Sequence, residues 1–144
     1  MILPDANLLL YAYDRSSPFH ARARRWWEAC LSGRDPVCLC PMVLSAFVRL
    51  ATHPRVFETP MTVVEASGHV SSWLGRKISH YAALEESDFV KSLELLKQLG
   101  TGGDLTTDAQ IAAIALRLRA SLHTSDSDFW RFPGLKVVDP LSSR

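Results

Sequence analysis

The chain has few of the features that mark secreted, membrane-bound or strongly charged proteins. It contains only three cysteines, Cys30, Cys38 and Cys40. An odd number of cysteines in a chain of this size argues against a set of structural disulfides and favours a reducing compartment. No apolar run approaches the roughly 18–20 residues of a membrane span. Residues 1–5 lack the basic segment that opens a secretory signal. We therefore expect a cytoplasmic protein with no membrane partner.

An excess of charge of one sign is also missing. Sixteen Lys and Arg residues against fifteen Asp and Glu residues leave a formal net charge of +1 over 144 residues. This balance excludes a highly basic nucleic-acid coat and an acidic tail. It does not exclude an enzyme acting on nucleic acid, because one small body can segregate both signs on its surface. The 47% hydrophobic content predicts one globular domain over residues 1–144.

Short apolar runs alternate with longer helical patterns along the whole chain. The runs typical of strands are residues 2–5, 37–40, 79–82, 121–124 and 136–138. Helical periodicity fills most of the sequence between them. This alternation predicts an α/β fold, a three-layer α/β/α sandwich around a short, mostly parallel five-stranded sheet.

Two helix starts are predicted from capping residues. Thr107 and Gln110 match a capping box, so a helix is expected to begin at Thr107. Ser87 is expected to cap a second helix over residues 88–99. The apolar side chains expected to line that helix are Phe89, Leu93, Leu96 and Leu99.

Acidic residues follow the predicted strands at informative places. Asp5 ends the first strand, and Asp126 and Asp128 follow the strand over residues 121–124. Asp108 lies near the start of a predicted helix. Ligands of open parallel sheets bind outside the carboxyl ends of the strands, so we expect these carboxylates to converge at one edge.

Converging carboxylates predict a particular chemistry. Each acid alone has an ordinary explanation as a turn residue or a helix N-terminal residue. Several together repel one another unless a cation neutralises them, and hard oxygen ligands favour Mg²⁺ or Mn²⁺ over zinc. Such ions activate water and stabilise charge that develops on a phosphate. The pattern therefore favours metal-assisted phosphodiester hydrolysis.

Four segments, in order along the chain, resemble the PIN domain family. Residues 2–9 resemble the opening of PIN domains, residues 107–115 their third acidic motif, and residues 124–135 the fourth. Residues 47–57 are similar to a segment common in VapC-type toxins of bacterial toxin–antitoxin pairs. The resemblance implies a metal-dependent endoribonuclease that cleaves structured cellular RNA, such as tRNA or rRNA, and leaves a 5′-phosphate and a 3′-hydroxyl. It also implies a homodimer and inhibition by a VapB-type antitoxin.

The same resemblance assigns roles to individual residues. The carboxylates implied to be catalytic and to hold Mg²⁺ or Mn²⁺ are Asp5, Asp108 and Asp126, with Asp128 in support. The residues implied to orient these ligands or water are Asn7, with Thr124 or Ser125.

One family motif is not matched. The second motif of the family places a Glu on the helix after the second strand, but residues 36–57 contain neither Asp nor Glu. The expected position falls near Leu44 or Ala46. Three alternatives remain open at this point. The site binds metal more weakly, or Asp104 substitutes for the Glu, or the chain binds RNA or antitoxin without efficient cleavage.

Three basic residues are candidates for RNA binding. If they flank the acidic edge, Arg15, Arg49 and Arg55 would hold RNA phosphates during cleavage. Arg49 lies in an otherwise apolar helix, so its charge needs a partner, either an acid of the site or a substrate phosphate.

Aromatic residues and a second fold offer alternatives of lower weight. Base stacking is one use for Trp26, Trp27 and Trp73, but their amphipathic helices favour core or dimer contacts. A receiver-like α/β domain is disfavoured, because no acidic pair follows the first strand and no Lys ends the last one.

Overall fold

A computed structural model describes residues 1–142, and its elements follow the predicted alternation of strands and helices. The strands are β1 (Ile2–Pro4), β2 (Val37–Leu39), β3 (Ser79–Tyr81), β4 (Ser121–His123) and β5 (Val137–Val138). The helices are α1 (Ala6–Tyr13), α2 (His20–Ser32), α3 (Pro41–Ala51), α4 (Val63–Leu74), α5 (Glu86–Leu99) and α6 (Leu105–Leu118). A 3₁₀ turn, Ser127–Arg131, precedes β5.

The five strands form one sheet in the order β3-β2-β1-β4-β5, and each neighbouring pair is parallel. The α/β class and the five-stranded parallel sheet are therefore confirmed. The chain runs from β1 outward to β3 and then returns to place β4 on the other side of β1. Pro4 pairs with His123, so the loops after β1 and β4 leave the same edge side by side. Such a switch in strand order is where open α/β sheets bind ligands.

An aromatic cluster fixes the helices that follow the first two strands. The ring centroid of Trp73 lies 5.5 Å from that of Trp27 and 4.7 Å from that of Phe47, both edge to face. The indole Nε1 of Trp73 donates to Tyr13 Oη at 2.9 Å. Trp27 and Trp73 are buried, so the prediction of core contacts for these two is confirmed. Trp26 is half-buried and donates from Nε1 to His123 Nδ1 at 3.0 Å.

The described residues offer neither a disulfide nor a membrane span. Cys30, Cys38 and Cys40 are buried free thiols. Within residues 1–142, no helix combines the length and apolar character needed to cross a membrane.

The capping box predicted at Thr107 is wrong. Helix α6 begins two residues earlier, at Leu105, and the N-cap position is Asp104, whose side chain makes no capping hydrogen bond. A tight turn sets this start, because the amides of Leu105 and Thr106 donate to the carbonyls of Gly102 and Gly103. Thr107 therefore lies inside the first turn rather than before it.

The expected start of α5 is also wrong, and the expected apolar stripe holds only for Leu96 and Leu99, which are half-buried against the core. The helix begins at Glu86, with Glu85 rather than Ser87 at the N-cap. Phe89 and Leu93 are 44% and 43% exposed, whereas the buried side chains of this helix are Asp88, Ser92 and Leu95. The reason is an ion pair with α6, in which Arg117 Nε and Nη2 donate to the Asp88 carboxylate at 2.8 and 3.0 Å.

Candidate active site

Asp5 lies where β1 passes into α1. Its backbone amide donates to the His123 carbonyl at 2.9 Å, which continues the pairing of β1 with β4 by one residue. Its carboxylate caps α1, with Oδ1 accepting from the Ala6 amide at 2.7 Å. The residue is 8% exposed. Burial raises the pKa of Asp5, and the hydrogen bonds from Thr124 and Ala6 oppose that rise.

Thr124 connects the carboxylates that follow the two central strands. Its hydroxyl donates to Asp5 Oδ2 at 2.8 Å and accepts from the Asp126 amide at 2.9 Å. The side chain is fully buried. One hydroxyl therefore sets the position of the Asp5 carboxylate and of the Asp126 backbone. Ser125, the alternative for this role, is exposed.

Three carboxylates converge beside Asp5. Asp108, Asp126 and Asp128 each offer an oxygen that lies within 4.8 Å of the others. Asp108 comes from the first turn of α6, and the other two come from the turn after β4. The amide of Asp128 donates to Asp126 Oδ1 at 2.9 Å, and this hydrogen bond fixes Asp126 and Asp128 relative to each other. Residues from distant parts of the sequence thus meet at the edge predicted for them.

The electrostatics of this cluster favour a cation. Burial, and after it the negative charges of the neighbouring carboxylates, raises the pKa of Asp108 to about 6. Those neighbours are Asp5, Asp126, Asp128 and Asp104. A group of carboxylates that disfavours the ionised form of Asp108 in this way fits a hard divalent ion such as Mg²⁺ or Mn²⁺.

Asp104 reaches the same site from the turn before α6. Gly103 has a φ of +57°, a left-handed conformation that favours glycine, and it turns the chain directly ahead of Asp104. The Asp104 side chain is exposed and makes no capping bond. It lines the same cavity as Asp5, Asp108 and Asp126. Asp104 therefore shares the cavity with the other carboxylates, but it is outside the group of Asp108, Asp126 and Asp128 whose oxygens lie within 4.8 Å of one another.

The cavity at these carboxylates has a volume of about 550 Å³ and is closed on one side by α3. Leu44 is buried on the core side of this helix, whereas Ala46 is half-buried and lines the cavity. Ala46 is therefore the residue of the two that stands where a cavity-facing Glu would be. Met42 and Leu50 line the same wall. The sequence interpretation missed both, although their four-residue spacing from Ala46 was visible.

The remaining predicted residues divide into two groups. Asn7 and Arg49 line the acidic cavity. Arg15 instead lines a separate cavity of about 480 Å³ that also includes His69. Arg55 lies in an exposed turn, where its amide donates to His53 Nδ1 at 3.0 Å. Only Arg49 of the three arginines thus lies beside the carboxylates.

Comparisons with known proteins find similar sequences over almost the whole chain. The family model of the PIN domain matches residues 2–135. Ribonuclease VapC33 of Mycobacterium tuberculosis is 40% identical over 141 residues, which cover 98% of this chain and 99% of that protein.

Two solved structures share the fold at low sequence identity. Mycobacterium tuberculosis VapC20, a sarcin-ricin loop cleaving toxin, matches with a TM-score of 0.70 at 16% identity, over 94% of this chain and 99% of that one. The structure of VapBC2 from Rickettsia felis bound to a DNA fragment from their promoter matches with a TM-score of 0.69 at 18% identity, over 96% and 98% of the two chains.

Proposed function

Because this chain belongs to the PIN domain family, among the VapC ribonucleases, we propose that it is a metal-dependent endoribonuclease toxin. The observation that carries the proposal is the convergence of Asp108, Asp126 and Asp128 beside Asp5 at the switch point of the sheet. The 40% identity to ribonuclease VapC33 supports RNA as the substrate. The reaction is hydrolysis of a phosphodiester bond within the chain of the substrate.

The carboxylates Asp5, Asp108 and Asp126 are the catalytic ones in this proposal, and Asp128 and Asp104 support them. A divalent ion held there, Mg²⁺ or Mn²⁺, would activate water and stabilise charge on the phosphate. Thr124 fixes the Asp5 carboxylate from behind, and Asn7 lines the cavity where it can orient a ligand or a water. Arg49, on the same cavity, would hold a phosphate of the bound RNA.

The substrate and partners follow from the family. We propose structured cytoplasmic RNA, tRNA or rRNA, as the target, in line with the sarcin-ricin loop cleavage named for VapC20. The pairing of VapB and VapC in the Rickettsia felis structure supports a VapB-type antitoxin as the inhibitor. A homodimer completes the proposal, and the exposed Phe89, Val90 and Leu93 of α5 offer it an apolar surface.

One experiment tests the activity and identifies the target. The chain is induced in a bacterial host and new RNA 5′ ends are mapped, with Asp5→Ala induced in parallel. Purified protein is then assayed on the mapped RNA in EDTA and after addition of Mg²⁺ or Mn²⁺. We expect discrete new ends only with the unsubstituted chain, and cleavage only with the added ion. New ends that also appear with Asp5→Ala, or cleavage that persists in EDTA, would contradict the proposal.

A second function, RNA or antitoxin binding without efficient cleavage, is favoured by a single observation. The family's Glu is expected near Leu44 or Ala46, and none of the α3 residues that line the cavity is a carboxylate. This alternative predicts RNA binding by the purified protein but no new 5′ ends at any metal concentration.

Asp104 is expected to compensate for the missing Glu. Asp104→Asn removes one negative charge from the cavity wall, so the Mn²⁺ concentration for half-maximal cleavage should rise about tenfold, at the lower end of effects seen for residues that support metal ligands. Asp35→Asn is the matched control, because Asp35 is an exposed aspartate in the loop before β2. An unchanged Mn²⁺ dependence in Asp104→Asn would remove Asp104 from the site.

A further inference from the structure

The cavity beside the carboxylates has two chemically different walls. One wall carries Asp5, Asp108 and Asp126. The other is the face of α3, where Met42, Ala46 and Leu50 supply apolar surface beside the polar side chains of Ser45 and Arg49. A hydrated cation or a phosphate needs only the first wall, and a volume of about 550 Å³ is larger than either requires. Cavities of this size with apolar walls and a few convergent polar groups are typical of sites for organic ligands.

The apolar wall is a notch with a small residue at its centre. Met42, Ala46 and Leu50 follow one another at intervals of four residues, so they lie in a line along α3. All three are half-buried, which leaves part of each side chain accessible from the cavity. Ala46 carries a single methyl group between two long side chains. The small side chain of Ala46 therefore forms the bottom of the notch, and the longer side chains of Met42 and Leu50 form its two sides.

This line runs beside the fully buried face of α3, and its three residues also pack partly against the core. Leu44, Phe47 and Ala51 are buried and form the core stripe of the helix. Ala46 is two residues from Leu44, which turns it by about 200° around the helix axis. The accessible side of an amphipathic helix ordinarily carries polar residues. Here the accessible side carries Ser45 and Arg49, but an apolar line lies next to them and faces the same cavity as the carboxylates.

A positive charge stands next to the notch without a partner of its own. Arg49 lies three residues after Ala46, is exposed, and lines the same cavity. Among residues 1–142, no carboxylate oxygen lies within 4.0 Å of its guanidinium group. A guanidinium available in this way is suited to a backbone phosphate.

We propose that the notch formed by Met42, Ala46 and Leu50 binds an unpaired nucleobase of the RNA next to the scissile phosphate, with Arg49 on an adjoining phosphate. The apolar walls take the flat face of the base, and the carboxylate wall faces the phosphodiester. The Ala at position 46 thus creates a base site where a Glu would occupy the space. This inference rests on the proposed ribonuclease function.

A direct binding measurement tests the notch apart from cleavage. The probe is a fluorescein-labelled single-stranded RNA of about eight nucleotides and random sequence, within the length that such sites hold. Its anisotropy is measured with Mg²⁺ present, and every protein carries Asp108→Asn to prevent cleavage. Filling the notch with Ala46→Leu should weaken binding about tenfold, as expected when one base loses its apolar contact. Met42→Ala, which removes one side of the notch, should weaken it in the same direction.

Val48→Leu is the matched control, because Val48 lies on the same helix and does not line the cavity. It should bind as the parent does. Thermal melts of all four proteins show whether each substitution leaves the fold intact. Binding by both Ala46→Leu and Met42→Ala within twofold of the parent, about the scatter of such measurements, would overturn the proposal.

Mapping of 5′ ends separates the notch from the function. The unsubstituted chain should cut with a preferred base at one fixed position beside the cleaved bond, and Ala46→Leu should lose that preference and cut more slowly. Equal cleavage of the same sites by Ala46→Leu would contradict the proposed nucleobase site without affecting the proposed ribonuclease function. Absence of any cleavage by the unsubstituted chain would overturn the function, while the binding measurement still tests the notch. If Ala46→Leu loses a co-purified antitoxin yet binds RNA normally, the notch belongs to a protein side chain and the proposal is wrong.

Discussion

Replacing Asp108 by Asn is expected to abolish RNA cleavage and, at the same time, to stabilise the metal-free protein. Asn keeps the shape of the side chain but cannot neutralise a cation. Removing groups that only support metal ligands costs about 10–100-fold, so losing a ligand itself should cost more than about 100-fold in cleavage rate. Without metal, the negative charge of Asp108 is repelled by the neighbouring carboxylates. Its removal should raise the free energy of unfolding by about 1–2 kcal/mol near neutral pH, allowing for solvent screening at this half-buried group.

The pH dependence gives this prediction its sign. Burial and four carboxylate neighbours raise the pKa of Asp108 from 3.8 to about 6 in the folded protein. The folded state therefore binds a proton more tightly than the unfolded state, and the destabilisation is fully present above pH 6. It fades as the pH falls through 6 and is lost only below the ordinary pKa of 3.8, where both states are protonated. Relative to Asp108→Asn, the metal-free chain should gain stability over that interval.

Urea unfolding in EDTA at several pH values between about 7 and 4 measures the effect. Asp35→Asn is again the control, since it removes the same charge from an exposed loop. Addition of Mn²⁺ should reverse the order and stabilise the unsubstituted chain more than Asp108→Asn. Equal unfolding free energies for the two proteins throughout the interval in EDTA would show that the carboxylates do not repel one another as described.

The convergence of the acids was predictable from the sequence because it depends on local patterns and one general rule. Asp5 directly follows a buried strand, and Asp126 follows another, so parallel pairing of β1 with β4 is enough to bring them together. The rule that ligands bind at the carboxyl ends of parallel strands does not say which contact would link Asp5 with Asp126. The double hydrogen bond of Thr124 depends on the register of Pro4 with His123, which no single segment of sequence specifies.

The errors arose where contacts distant in sequence decide the outcome. Apolar residues alone predicted that Phe89 and Leu93 face the core, but Asp88 is buried because Arg117, 29 residues later, pairs with it. The helix start at Leu105 was missed for a different reason. A turn through Gly103 at positive φ begins the helix early, and a capping-box pattern does not register such a turn.

The site itself was predictable only in part. The absence of an acid from residues 36–57 was visible, but not which residue would occupy the vacant place. The rotation of α3 decides that, and packing of Phe47 into the core sets this rotation so that Ala46 lines the cavity. Arg15 and Arg55 were grouped with Arg49 by charge alone, although they lie in turns that lead away from the carboxylates.

Thr124→Val is expected to weaken metal binding by about 10–100-fold without removing any carboxylate. Valine fills the same buried volume but has no hydroxyl, so Asp5 Oδ2 loses its donor and the Asp126 amide loses its acceptor. Titration with Mn²⁺ followed by cleavage rate measures the loss. Thr124→Ser is the control, because it keeps the hydroxyl and should bind metal close to the unsubstituted chain.

The pH profile distinguishes this role from simple packing. Burial already raises the pKa of Asp5, and the Thr124 hydrogen bond is the largest interaction that opposes the rise. Without the hydroxyl the pKa of Asp5 rises further, so a smaller fraction of Asp5 is ionised at a given pH. The acidic limb of the cleavage profile should therefore move to higher pH in Thr124→Val and return in Thr124→Ser. A valine variant that is slower at every pH, with its acidic limb unmoved, would mean that Thr124 fills space and does not hold the Asp5 carboxylate in its ionised form.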